Sequence, residues 1–236
     1  MRCEAITYKG IDAYRLTDGD LSAIITTLGG KFRSILYKGK EMLCQSISTS
    51  KDYRVSKYGD VFETGEFSGF DQMFPNISSG FYPDGPWAGT PMPDHGEVWT
   101  QVWDADFDGE ALNLSVHGVR LPYRFHMSVQ LAHEQIMLRY RAENLSGYPL
   151  KYLWCCHSLF TLDNDMTIDL PGCTQIFNAA AGKKYLGGYA ELHPWPVSNE
   201  GHDMHVLSTE HHSYNKYFVW NQRENNNAIL NYPDGT

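Results

Sequence analysis

The chain has 236 residues, a formal net charge of -9 at pH 7 and 42% hydrophobic residues. This composition indicates a globular protein rather than a disordered one, and the length suits one large domain or two small ones. The acidic balance and the scattered basic residues argue against a nucleic-acid partner, because phosphate binding requires clustered Lys and Arg.

The sequence also carries no membrane or export pattern. No apolar run approaches the roughly 18 residues that a membrane span needs, and the N-terminal stretch MRCEAITYKG lacks the apolar core of a signal peptide. We therefore predict no membrane partner and a cytoplasmic location. The cysteines contain no CxxC pair, so we expect reduced thiols rather than disulfides or a zinc site. They are Cys3, Cys44, Cys155, Cys156 and Cys173.

Strand patterns dominate the chain. In residues 21–39 apolar and polar residues alternate, and the pattern breaks at Gly29 and Gly30. The same period of two recurs in residues 123–144, which predict a hairpin with its turn near His133. Further β-rich runs cover residues 111–119, 149–162, 217–222 and 228–233.

Helix patterns are weak, because no segment of a dozen residues keeps a 3.6-residue period. Long irregular loops, which are often functional, are predicted for residues of about 51–95 and about 172–205. We therefore predict a single all-β domain over residues 1–236, built as a sandwich or barrel of many antiparallel strands.

His95 lies in the stretch PMPDHGEVW. The two prolines stiffen the chain before the histidine, and Gly96 permits a bend or a close approach after it. Asp94 and Glu97 are both candidates to hold one ring nitrogen and fix the tautomer. The alternative is a loop histidine that is capped by its neighbours.

His157 lies in the apolar run WCCHSLF. Strand alternation places Cys155 on the same face as His157 and Cys156 on the opposite face. A histidine inside a β core is more often structural than catalytic, but it is costly to bury without a polar partner. A second histidine or a sugar hydroxyl would supply that partner.

Two further features are suited to a polyhydroxy ligand. In SGFDQMFPNI, Asp71 and Gln72 are able to hydrogen bond to sugar hydroxyls, although the segment also reads as a turn. Several aromatic residues follow around the His95 loop, and such rings either stack on the C–H faces of sugars or fill a core. They are Tyr82, Trp87, Trp99 and Trp103.

Four segments, in this order along the chain, resemble the aldose 1-epimerase (galactose mutarotase-like) superfamily. They are TLGGKFRSILYKGKEML, GFDQMFPNI, PDHGEVWTQVW and ENLSGYPLKYLWCCHSLFTL. The resemblance covers most of the chain and implies a large antiparallel β-sandwich, the galactose mutarotase-like supersandwich. It also implies a carbohydrate cleft on one face, a small-molecule sugar as partner, and no cofactor.

The resemblance implies that the protein interconverts the α and β anomers of a free sugar. It matches the two histidines of the family to His157, as general acid on the ring oxygen, and to His95, which binds and polarises that oxygen. From the local patterns we predict substrate-binding roles for Asp71, Gln72, Asp94, Glu97 and Trp99, and no metal ligands.

This sequence departs from the family pattern in two respects. The family base is a glutamate beyond a late strand, and no residue of this sequence matches that motif. The sequence reaches AILNYPDGT without that strand, so we expect a shortened homologue or a fragment that lacks the last strands. An arginine that many members place before the first histidine is also absent from GFDQMFPNI.

Two other functions fit the sequence. The missing glutamate motivates a non-catalytic module that binds or senses sugar. A cupin-like metalloenzyme would use His95, Glu97 and a later histidine as ligands.

Overall fold

The computed structural model describes residues 1–46, 55–62, 65–179, 186–207, 216–220 and 227–235. The chain divides into two compact units, Met1–Thr161 and Leu162–Thr236. Among the described residues the regular structure is β-strand apart from short 3-10 turns, so the prediction of an all-β fold with antiparallel strands is confirmed. The prediction of a single domain over residues 1–236 stays a prediction.

The first unit contains two main antiparallel sheets. Its strands are β1 (Arg2–Tyr8), β2 (Ile11–Asp18), β3 (Leu21–Thr26), β4 (Phe32–Tyr37), β5 (Lys40–Glu41), β6 (Phe70–Met73), β7 (Gly80–Phe81), β8 (Pro91–Met92), β9 (Asp104–Phe107), β10 (Leu112–His117), β11 (Tyr123–Ala132), β12 (Gln135–Asn144) and β13 (Cys155–Ser158). The seven-stranded sheet runs β1-β2-β3-β4-β6-β13, with β5 on β4, and the four-stranded sheet runs β12-β11-β10-β9. Strands β7 and β8 form a separate hairpin.

The predicted turns are found where the sequence places them. The break between β3 and β4 falls at Gly29 and Gly30, whose φ angles are 76° and 56°. The β11–β12 hairpin turns at His133 and Glu134, which adopt φ angles of 53° and 61°. Positive φ at both central residues matches the right-handed twist of the flanking strands, and this explains why so long a hairpin closes in two residues.

The two main sheets of the first unit pack their apolar faces against each other. Strand β11 alternates buried and half-buried residues along its whole length, so that one face enters the core. The shared core joins Leu16, Ile25 and Phe32 of the seven-stranded sheet to Leu112 and Phe125 of the four-stranded sheet. This packing makes the first unit a β-sandwich.

Strand β6 corrects the prediction of an irregular loop over residues of about 51–95. All four of its residues are buried, and it pairs with both β4 and β13 in the seven-stranded sheet. A strand buried on both faces shows no alternation of apolar and polar residues, so the period-two pattern fails to mark it. Conversely, the β-rich run 149–162 contributes only the four residues of β13.

The second unit contains two three-stranded sheets. Its strands are β14 (Met166–Asp169), β15 (Gln175–Asn178), β16 (Leu192–Pro194), β17 (Val206–Leu207), β18 (Tyr217–Trp220) and β19 (Ile229–Asn231). The sheet orders are β17-β14-β19 and β16-β15-β18, and a small core forms around Ile176, Leu186 and Met204. In the described ranges, no helix has the length and apolar character needed to cross a bilayer.

Candidate functional site

The candidate site lies in the first unit, and the loop after β8 carries its first histidine. His95 adopts a φ of 59° and donates its backbone N–H to Ile77 O at 2.9 Å. Gly96 follows with a φ of 78°, and a Cβ built on it would lie 2.3 Å from Phe74 O. This contact leaves no space for any side chain at Gly96. Glycine is therefore required after His95, because the loop passes directly over the end of β6 at this position.

The second histidine sits on an edge strand of the seven-stranded sheet. His157 of β13 is the register partner of Asp71 of β6. Partners in an antiparallel pair project to the same face, so the carboxylate of Asp71 is the cross-strand neighbour of this imidazole. Asp71 is 1% exposed, and its Oδ2 lies 3.0 Å from Lys31 Nζ. A buried ion pair therefore stands beside His157.

The structure brings the two imidazoles together. The ring centroids of His95 and His157 lie 5.3 Å apart and the ring planes meet at 79°. One ring comes from a loop and the other from a strand distant in sequence, so only the tertiary fold creates this histidine pair. Two imidazoles at this separation can contact adjacent oxygen atoms of one small ligand.

Phe62 completes the immediate surroundings of the histidine pair. Its ring stacks on His95 at 4.0 Å with an interplanar angle of 10°, and it meets the ring of His157 edge-on at 5.1 Å. Phe62 is 2% exposed and also contacts Trp99, with centroids 5.5 Å apart. No pattern in the sequence predicts this role for Phe62, because it lies in a segment without strand or helix periodicity.

Asp94 contacts three of the rings at the site, those of His95, Phe62 and Trp99, through its side chain or its backbone. Its Oδ2 lies 2.9 Å from His95 Nδ1, at ion-pair distance but outside hydrogen-bond geometry. The same oxygen accepts a hydrogen bond from Phe62 N at 3.0 Å. The indole N–H of Trp99 donates to Asp94 O at 3.0 Å. One residue thus fixes the positions of His95, Phe62 and Trp99.

Glu97 points away from the histidine pair. Its side chain is fully buried, and its two oxygens accept four hydrogen bonds of 2.9–3.2 Å from Tyr58 Oη, Val119 N, Arg120 N and Tyr123 Oη. Burial, and then the charge of Glu97, raise the pKa of Tyr123 far above its ordinary value and also raise the pKa of Tyr58. Both phenols therefore remain protonated donors to this carboxylate.

A buried charge network lies behind His157. Lys31 pairs with Asp71, and its Nζ also donates to Glu66 O at 3.2 Å. The carboxylate of Glu66 contacts Arg33 and lies 3.6 Å from Lys9 Nζ. Burial lowers the pKa of Lys31, and the neighbouring Asp71 carboxylate opposes that shift. The network anchors Asp71, and with it the sheet face that carries His157.

The predicted site residues thus fall into two groups. His95, His157, Asp71, Asp94 and Trp99 are placed around one location by the contacts above. Gln72 is fully buried and faces the other side of β6, opposite Cys156, while Glu97 faces Tyr123. The described ranges contain no group of three or more His, Cys, Asp or Glu residues arranged to hold a metal ion. The substrate-binding roles assigned from the sequence stay predictions.

No protein-family model and no curated protein sequence matches this chain. Solved structures do match it. A galactose mutarotase-like protein from Lactobacillus casei superposes with a TM-score of 0.60 at 14% identity, covering 84% of this chain and 76% of its own. A candidate aldose 1-epimerase from Escherichia coli K12 gives 0.58 at 16% identity, with 84% and 67% covered. A galactose mutarotase related enzyme from Lactobacillus acidophilus gives 0.57 at 11% identity, with 77% and 64% covered.

These similarities concern the fold. The identities of 11–16% are too low to transfer an activity, and the matched region spans only about two thirds of two of these proteins. The matching structures confirm the fold resemblance that the sequence indicates, including the β-sandwich architecture. The chain has the fold of galactose mutarotase-like and aldose 1-epimerase structures.

Proposed function

We propose that this protein is an aldose 1-epimerase-like enzyme that interconverts the α and β anomers of a free sugar. The observation that carries the proposal is the 5.3 Å approach of the His95 and His157 rings in a galactose mutarotase-like fold. The proposed partner is a small neutral sugar. The five free thiols are consistent with a cytoplasmic location.

The proposed reaction needs two proton transfers at neighbouring oxygens. Opening a hemiacetal ring places a proton on the ring oxygen and removes one from the C1 hydroxyl. Rotation about the C1–C2 bond and closure on the other face then give the second anomer. Side chains that exchange protons near neutral pH supply these steps, and the reaction itself requires neither a metal nor a cofactor.

In the proposal, His157 donates the proton to the ring oxygen, while His95 binds and polarises the sugar. Phe62 covers the face of the His95 ring, but the ring nitrogens point along the ring plane and stay clear of that stacking contact. The Asp94 carboxylate lies 2.9 Å from His95 Nδ1, and a carboxylate beside an imidazole is the arrangement of a general base. The His95–Asp94 pair is therefore also suited to accept the C1 hydroxyl proton.

The same geometry suits a second candidate function, a module that binds sugar without turning it over. The observation behind it is that both imidazoles and the Asp94 carboxylate, none of them fully buried, lie at one location. Such groups hydrogen bond to sugar hydroxyls. Binding alone requires no proton transfer.

Polarimetry on freshly dissolved α-D-glucose and α-D-galactose tests the proposed function. We expect the protein to accelerate mutarotation over buffer, and the His157→Ala variant to lose that acceleration. Calorimetry with the same sugars separates the two candidates, because binding without acceleration supports the non-catalytic module. Absence of both binding and acceleration for a panel of aldoses would overturn both.

A further inference from the structure

The outer face of the four-stranded sheet carries a hollow of about 380 Å³. Strand β11 turns its buried residues towards the core, so its half-buried residues His126 and Ser128 lie on the outer face. Their register partners on β12 are Arg141 and Arg139, and both arginines are exposed. These four residues line the hollow together with Asn113 of β10, the other partner of Ser128. We call this feature the Arg139–Arg141 hollow.

The two arginines are spaced to hold one anion between them. They lie two residues apart on one face of β12, so their Cβ atoms are about 7 Å apart, and Ser128 lies about 5 Å to the side of Arg139. A guanidinium presents its N–H groups in a planar fork that matches two oxygens of an anion. Two forks, with the Ser128 hydroxyl and the Asn113 amide as further donors, suit the four oxygens of a phosphate group better than the two of a carboxylate.

The positive charge of Arg139 is uncompensated. Among the residues that the structure describes, Arg139 has no hydrogen-bond or ion-pair partner. By contrast, Arg141 Nη2 lies 3.0 Å from His126 Nε2 and 3.5 Å from the half-exposed carboxylate of Glu143. The described walls of the hollow include no carboxylate. The chain as a whole has a formal net charge of -9, so this hollow is a local exception to an acidic surface.

The other carboxylates of this sheet face stand apart from the arginines. Asp104 and Asp106 lie on β9, three strand spacings or about 14 Å from β12. That distance exceeds the Debye length of about 8 Å at physiological salt, so these carboxylates are largely screened from an anion held at β12. They line a neighbouring hollow of about 290 Å³ with Arg124.

The Arg139–Arg141 hollow lies on the opposite face of the sandwich from the histidine pair. Phe70 of β6 belongs to the shared core, so the next residue, Asp71, and its partner His157 face the outer side of the seven-stranded sheet. The arginines face the outer side of the other sheet. A ligand bound there does not reach the imidazoles, and an inference about it does not depend on the proposed function.

We propose that the Arg139–Arg141 hollow binds a small organic phosphate, with the phosphate group held between the two guanidiniums. The volume falls within the range of about 300–1,000 Å³ that small-molecule sites occupy, which leaves space for an organic group beside the phosphate.

Proton NMR of the His126 ring, titrated with glycerol 2-phosphate in a chloride buffer at pH 7, tests this site. We expect saturable shifts with a Kd of about 1 mM, since two charge-assisted hydrogen bonds give an affinity of about that size. The bound dianion should also raise the pKa of His126, because a nearby negative charge favours the protonated imidazole. The polar groups that already face this ring are the same with and without the ligand; they are Asp104, Ser115, Arg124, Arg141 and Glu143.

Arg139→Gln is the decisive variant. It should weaken the binding of glycerol 2-phosphate by about tenfold or more, and it should leave the pKa of His126 in chloride unchanged. Arg139→Lys should restore only part of the affinity, because an ammonium lacks the planar fork. Arg15→Gln, an exposed arginine of β2 that pairs with Glu4, is the matched control and should keep the parent affinity.

Three results would count against the inference. A His126 shift that does not saturate, or saturable binding that survives Arg139→Gln, would overturn the site. Inorganic phosphate binding as tightly as glycerol 2-phosphate would overturn the assignment of an organic ligand. Tighter binding of succinate than of glycerol 2-phosphate would overturn the assignment of a phosphate group. Arg139→Gln should keep the parent rate in the mutarotation assay, so failure of this site and failure of the proposed function are read from separate measurements.

Discussion

The ring of His157 meets the ring of His95 at 79°, with their centroids 5.3 Å apart, and Phe62 contacts both. If His157 donates a proton to the ring oxygen, its removal should lower the mutarotation rate by about 10²–10⁴-fold, the usual contribution of a general acid. We expect this loss in His157→Ala by polarimetry. His117→Ala, an exposed position of β10, is the control and should retain the parent rate. An active His157→Ala variant would remove His157 from the mechanism.

Gly96 should tolerate no side chain. In Gly96→Ala, the added Cβ would lie 2.3 Å from Phe74 O, and the φ of 78° is unfavourable for alanine. Steric overlap and backbone strain together should lower the free energy of unfolding by about 2–6 kcal/mol in urea titrations.

Gly39 is the matched control for this substitution. Its φ is 81°, and a Cβ there would meet nothing within 4 Å. Gly39→Ala should therefore cost only the conformational term of about 1–2 kcal/mol. Equal losses in the two variants would mean that the loop over β6 moves aside easily, against the close contact described above.

Glu97 should be a determinant of stability. Glu97→Gln replaces one acceptor oxygen with an N–H₂ group that would face two donors, in a fully buried place. Losing charge-assisted hydrogen bonds in this way should lower the free energy of unfolding by about 2–4 kcal/mol. Glu4→Gln on the exposed side of β1 should change it by less than about 0.5 kcal/mol. Thermal unfolding measures both variants, and a Glu97→Gln variant as stable as the parent would contradict the prediction.

His126 should titrate below the ordinary histidine range. Burial first, and then the charge of Arg141, lower the pKa of His126. Arg141 Nη2 lies 3.0 Å from His126 Nε2, and because a guanidinium only donates, the neutral ring accepts that bond. The unfolded chain then binds this proton more readily than the folded one. The contribution to stability is therefore present above about pH 6.5 and is lost as the pH falls towards the folded-state pKa.

Proton NMR titration of the His126 ring checks this pH dependence. Arg141→Gln should raise the pKa of His126 towards its ordinary value, although the lowering caused by burial should remain. Arg139→Gln, on the same strand and also outside the core, should leave the pKa of His126 unchanged. A His126 pKa at or above about 6.5 in the parent protein would contradict the prediction.

The sequence predicts the regular part of the first unit well, because a strand that is buried on one face shows alternating apolar and polar residues. The β11–β12 hairpin and the break at Gly29 and Gly30 follow from that pattern and from turn chemistry. The same pattern fails for β6, which is buried on both faces. It also overextends the run around β13, which has four strand residues and continues through Leu159 and Phe160 only as isolated backbone contacts.

The candidate site is less predictable, because its contacts join residues distant in sequence. PMPDHGEVW predicts a stiff histidine, and the structure adds that the stiffness comes from the contact between Gly96 and Phe74. The placement of Phe62 on the histidine pair has no local signal. The four donors to Glu97 come from two separate segments, at Tyr58 and at the β10–β11 turn, so adjacency to His95 in sequence gives no hint that the carboxylate faces elsewhere.

The end of β6 is a common support for both histidines. Phe74 O accepts the backbone N–H groups of Glu97 and Val98, two and three residues after His95, and Pro75 O accepts that of Leu153, just before β13. Any displacement of this short stretch would carry the two imidazoles in the same direction and preserve the gap between them. The main chain at the end of β6 thus helps to set the separation of the pair, together with the side chains of Asp94 and Phe62.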